Sequence, residues 1–126
     1  GTQVLPYINK SKEAKDFQII NSYGTAATTA YSSNAEKVTE VTTIVVYGTN
    51  TDAAGKPAAT LETEIKDLVG YANSSNLVAK MGSKKGKKIA AVKIVIDPKT
   101  DKTITTQAYE DTACTKPIFD QVVTQL

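Results

Sequence analysis

The sequence predicts an α+β domain in which a long N-terminal α-helix packs on a small antiparallel β-sheet. Three observations lead there. Apolar residues recur with a helical period through the first quarter of the chain. Runs rich in Val, Ile and Thr follow over 38–47, 89–96 and 103–109, as strands require. A short Asp-Pro turn joins the last two runs, so they read as an antiparallel hairpin.

The helix is expected over Tyr7–Tyr31. From Phe17 the apolar positions fall at 17, 20, 23, 27 and 30, a single stripe on a helix, while Lys12, Asp16, Gln18, Asn21, Ser22 and Thr25 take the watery face. Such a helix is about 37 Å long, close to the width of a small domain, so its far end is expected to project beyond the body. Val4, Leu5, Tyr7 and Ile8 are apolar and give way to Lys10, Lys12 and Lys15, a sequence like the flank of a membrane helix or of a segment buried in an assembly. Pro6 suits a first helical turn and would kink a continuing helix. Local pattern alone favours a helix that starts naturally here, with Gly1-Thr2 left by cloning.

Ser32–Glu36 reads as the helix exit, and Val38–Tyr47 as the first strand. Gly48–Pro57 is a polar loop with turn formers at both ends and no calcium-loop spacing. A second helix is expected to start under a Thr60 cap, with Leu61, Ile65, Leu68 and Ala72 buried and Glu62 paired to Lys66 one turn on. Asn73–Asn76 should break it. Leu77–Met81 reads as a further helical turn closed by Gly82. The strand Ile89–Ile96 turns at Asp97-Pro98 and returns as Thr103–Tyr109. The tail from Pro117 to Leu126 fits a helical turn or a last strand equally well.

At 126 residues, 40% of them hydrophobic, residues 1–126 make one domain with a modest core. The net charge of +2 implies no anionic partner by itself. All fifteen basic residues are lysine, so the planar fork that reads carboxylates, phosphates and guanine is missing. Histidine and tryptophan are absent too. Cys114 is the one cysteine, which rules out an internal disulfide; it reads as a small, partly buried hydrophobe rather than a reactive thiol.

The residues that do site chemistry are correspondingly scarce. No base stands ready to activate Ser or Cys, and the neighbouring acids Glu62/Glu64 and Glu110/Asp111 read as solvated. Neither catalysis nor a metal or cofactor is expected. Lys84, Lys85, Lys87 and Lys88 form a cluster whose sharper reading is a polyanion contact. Its plainer reading, a solubilising connection before a strand, is favoured because neither arginine nor interleaved aromatics accompany the lysines; nucleic acid is therefore a disfavoured partner. Asn9-Lys10-Ser11 and Asn73-Ser74-Ser75 match the glycosylation pattern, which arises often by chance.

The stretch Gln3-Val-Leu-Pro-Tyr-Ile-Asn-Lys-Ser-Lys-Glu-Ala-Lys-Asp-Phe-Gln18 resembles the segment that follows the membrane-embedded helix of type IV pilins and pseudopilins, most closely those of Gram-positive bacteria. Tyr7, Ile8, Lys10, Ser11, Lys12 and Asp16 match that pattern position by position, and Ala26–Tyr31 is similar to the helix end of the same family. The likeness at motif level covers the first quarter; the remainder agrees in plan. Two departures stand out: Pro6 lies where many members carry a polar residue, and three strands are read where the family sheet usually has four.

The resemblance implies a pilin-like fold and a non-catalytic structural subunit of an extracellular pilus or pseudopilus, placed at the cell surface after anchoring in the cytoplasmic membrane. It implies a missing apolar stem, cleaved by a prepilin peptidase, through which the subunit meets both the membrane and other pilin subunits. Val4, Leu5, Tyr7 and Ile8 are then the assembly interface, with the Gly48–Pro57 loop and the sheet edge offering further contacts. The alternative is a free-standing extracellular binding module that uses its lysine-rich surface.

Overall fold

The computed structural model describes the backbone from Val4 to Leu126 and the side chains from Ile8 onward. Helix α1 spans Val4–Asn34, which makes it about 46 Å long, and it outruns the expected span at both ends. Ile20, Tyr23, Ala27 and Ala30 are buried with Phe17 beside them, so the stripe read from the sequence is the packed one. The later exit has a local cause. Ser22, Thr25, Thr28, Thr29, Ser32 and Ser33 each donate their hydroxyl to a carbonyl three or four residues earlier, which satisfies a polar run on the helix itself. Asn34 then donates to both Ala30 O and the Glu64 carboxylate, tying the last turn to the next helix.

Strand β1 is Thr42–Val46, shorter than expected, because Tyr47 leaves the sheet in a left-handed conformation (φ 72°), one that few non-glycine residues adopt. The following loop carries a two-rung antiparallel ladder, β2 (Asp52–Ala53) with β3 (Lys56–Pro57), turned at Gly55. This ladder corrects the reading of α2 (Ala58–Val69). Thr60 does not cap the helix. Asp52 does, accepting from the amides of Ala59 and Thr60 at 2.8 and 3.1 Å and from the Thr60 hydroxyl, as a helix start requires. The Thr60 hydroxyl and these amides hold the Asp52 carboxyl below the usual range, since they favour its charged form.

Leu61 and Ile65 are buried as expected, but Leu68 is 54% exposed and Ala72 lies past the helix end. Gly70, left-handed and donating to Lys66 O, stops α2 before the stripe completes another turn. The Glu62–Lys66 pair does not form either; Glu62, expected to be solvated, is buried and accepts from the Tyr47 amide at 2.9 Å. Asn73, expected as a breaker, caps α3 (Ser74–Lys80) through its side chain, and the turn after α3 is closed by Met81 rather than Gly82.

A 3₁₀ turn over Gly86–Lys88 leads into β4 (Ala91–Asp97), which pairs with β5 (Thr103–Tyr109). Asp97 accepts from the amides of Lys99, Thr100 and Asp101 in the turn between them. The ambiguous tail is a strand, β6 (Pro117–Gln125), so the sheet has four strands in the antiparallel order β1-β4-β5-β6. Its ladder is interrupted opposite Gln107, whose side-chain amide donates to the carbonyls of Ile118 and Phe119 in place of backbone partners. One sheet face, with Ile44, Val92, Ile94, Ile96 and Ile104, forms the core; the other carries Thr43, Lys93 and Thr105, the division usual in an antiparallel sheet with one wet side. Gly24 lets α1 lie close against β5, since a Cβ there would stand 3.1 Å from Thr106 Oγ1, a tighter contact than most Cβ atoms make. No helix among the described residues is long and apolar enough to cross a membrane.

Candidate functional site

The end of α1 nearest Ile8 differs from the rest of the helix. From Ile8 to Lys15 every residue is exposed except the half-covered Glu13. About 12 Å of helix is therefore largely uncovered, with only the Lys12 stem lying beside Gly82. Packing begins at Asp16. This carboxylate, expected on the watery face, is only 2% exposed, yet no lysine among the described residues pairs with it. It accepts instead from the amides of Gly82 and Ser83, at 2.9 and 2.8 Å, and from the Ser83 hydroxyl. The Ser83 hydroxyl oxygen in turn accepts from the Gly86 amide at 2.8 Å. A buried charge is tolerated when hydrogen bonds replace its water, and this one has three donors.

Glycine is required where the loop folds back on that carboxylate. A Cβ on Gly86 would stand 2.9 Å from Asp16 Cγ and collide outright with Oδ2. The loop therefore cannot lift off or slide without breaking the Asp16 network. A second fastening lies beside the first. Phe119, held at φ 65° by the interruption in β6, stacks on Phe17 with ring centres 6.2 Å apart. The Lys85 ammonium sits 4.6 Å from the Phe119 ring centre, within reach of a cation–π attraction.

These contacts present the four sequence-predicted lysines as one exposed group. Lys85 lies over Phe119, and Lys87 donates to Met81 O at 3.0 Å. Lys84 and Lys88 are exposed and make no side-chain bond among the described residues. The structure adds three lysines that the sequence reading kept apart. Lys12 packs against Gly82, which a Cβ would bring to 3.7 Å of its stem, and Lys10 and Lys15 flank it on the same exposed turns. Spacing could not reveal this, because Asp16 and Ser83 are 67 residues apart.

Of the expected assembly residues, Ile8 is 39% exposed at the projecting end. The side chains of Val4, Leu5 and Tyr7 lie outside the described residues, as do Gly1–Gln3.

Other polar clusters are accounted for internally. Tyr23 and Tyr47 share a hydrogen bond between their hydroxyls, and Tyr47 donates to Tyr71 O at 2.8 Å. Burial, and then the bond to Tyr47, push the Tyr23 hydroxyl far above its ordinary range, so it stays protonated. Cys114 is partly buried in the loop before β6, where burial raises its thiol above the usual value and keeps the thiolate scarce. A groove of about 480 Å³ between α1 and α2 is lined by Ile19, Ala26, Leu68, Val69 and Tyr71 and carries no charged side chain. The Asp16-fastened lysine pole is thus the charged surface with a built support. No protein-family model, curated protein or solved structure matches the chain.

Proposed function

We propose that this chain is the exposed domain of a non-catalytic filament subunit of the type IV pilus or pseudopilus kind, assembled by helix-to-helix contact along α1. The observation that carries the reading is the bare segment Ile8–Lys15. Helices in folded proteins draw most of their stability from packing, and this one continues for two turns with little against it beyond the Lys12 stem beside Gly82. A neighbouring helix would cover it. The four-stranded antiparallel sheet agrees in plan with the family that the Tyr7–Asp16 motif resembles. In that motif Asp16 has a physical task, fastening the base of the domain to the helix, which gives a reason for an acid at that position.

The reading requires that the complete gene product carry an apolar helix ahead of the domain and that the product reach the cell surface. Antibodies raised against the domain should decorate filaments sheared from the source cells, seen by immunogold electron microscopy. Antigen found only dispersed, never on a fibre or in a membrane-bound pseudopilus fraction, would sink the proposal.

A further inference from the structure

The lysine pole has a shape as well as a charge. Lys10, Lys12 and Lys15 lie within about 8 Å of helix axis and point to different sides of it, while Lys84, Lys85, Lys87 and Lys88 bank against one flank. The acids in the same region are Glu13, Asp120 and Asp16, and the last is consumed by its three donors. Seven lysines against three acids, in a chain of net charge +2, leave the remainder of the molecule net negative. Positive charge therefore collects where α1 projects, beside the exposed apolar residue Ile8.

We propose that this pole docks on an anionic phospholipid surface, with α1 meeting the head groups end-on. Three features favour a membrane over a nucleic acid. The lysines ring a protruding helix instead of lining a channel that could track a strand. Among the described residues the ring beside the loop lysines, Phe119, is held between Phe17 and Lys85 and offers no open face for a base. Lysine supplies point charges, which suffice for a field of head groups but read neither bases nor phosphates bidentately. The remainder, with ten acids against eight lysines, offers no competing excess of positive charge. This inference does not rest on filament assembly, and either can fail alone.

Co-sedimentation of the purified chain with vesicles tests it. Equal parts of phosphatidylcholine and phosphatidylglycerol should bind the chain, phosphatidylcholine alone should not, and added salt should release it. The triple change Lys12→Gln, Lys84→Gln, Lys88→Gln should weaken partitioning roughly 100-fold. Those side chains are exposed, and circular dichroism will confirm that the variant folds. A control triple, Lys37→Gln, Lys56→Gln, Lys102→Gln, alters net charge equally at exposed positions outside the pole and should leave partitioning within a few-fold of the parent. Equal losses in the two triples, no binding to anionic vesicles, or tighter binding to a duplex DNA oligonucleotide than to vesicles would each overturn the proposal.

Discussion

The two ends of the α1–sheet contact are fastened by opposite means. At the lower end one carboxylate, Asp16, gathers three donors from a single loop, and most of the charge left over faces water as lysine. At the upper end the fastening is spread over Tyr23, Tyr47, the Tyr71 carbonyl and Glu62, and little of it is exposed charge. A concentrated fastening fixes a surface loop in one position but fails all at once. A distributed one tolerates the loss of a member and stiffens the core instead. The lower end is thus the place to hold a functional surface still, and the upper end the place to hold the domain together.

The largest effect should follow removal of the concentrated member. Asp16→Ala leaves two amides and a hydroxyl without an acceptor and should cost about 3 kcal/mol in urea unfolding. Gly86→Ala introduces a methyl group that collides with Asp16 Oδ2. That overpacking should cost about 2 kcal/mol. In the double variant the collision is relieved, so the two losses should fall short of additive by about 1 kcal/mol or more. Strict additivity would mean that the loop is held by something other than Asp16. Amide exchange across 82–86 should accelerate in either single variant while the Tyr47 amide stays protected.

At the upper end Tyr47→Phe removes an acceptor from Tyr23 and a donor from Tyr71 O. The expected loss is about 1.5 kcal/mol. The smaller value is what distribution predicts; a loss equal to that of Asp16→Ala would erase the contrast between the ends. Alkaline titration separates the ends further. The Tyr23 hydroxyl has an ordinary value of 10.0 and is raised in the folded state, by burial first and the Tyr47 bond second. Its contribution is therefore complete below that ordinary value and is lost as pH climbs above it, when the unfolded chain ionises and the folded one resists. Stability should fall by at most about 1.4 kcal/mol per pH unit on this account. Tyr23→Phe should flatten that decline, whereas Asp16→Asn should leave its slope untouched.

The same contrast explains what could be read from the sequence. The stripe on α1, the turn at Asp97 and the boundaries of β5 all follow from local periodicity and turn chemistry, and they stand in the structure as read. The misreadings arise where a distant group intervenes. Asp52 reaches forward to cap α2 in place of Thr60, and Gly70 ends that helix before Leu68 can be covered. The tail concealed its strand because Phe119 breaks the alternation with a left-handed backbone and Gln107 closes the gap from the neighbouring strand. The lysine pole was half legible. Its loop showed as a run, but its union with Lys10, Lys12 and Lys15 depends on Asp16, whose partners lie beyond three strands and two further helices.

One residue beyond Tyr23 the helix meets β5 closely at Gly24, and there the comparison predicts the smallest effect, with the opposite sign. The Thr106 hydroxyl is buried against Gly24 and has no hydrogen-bond partner among the described residues. A buried hydroxyl without a partner costs free energy, so Thr106→Val, which keeps the branched shape and removes the polar atom, should stabilise the domain by about 0.5 kcal/mol. The gain should be the same in the Asp16→Ala and Tyr47→Phe backgrounds, because neither group touches Thr106. A loss on Thr106→Val would show that the hydroxyl does find a partner at the helix–sheet contact, and that the middle of α1 is held by polar bonds as its ends are.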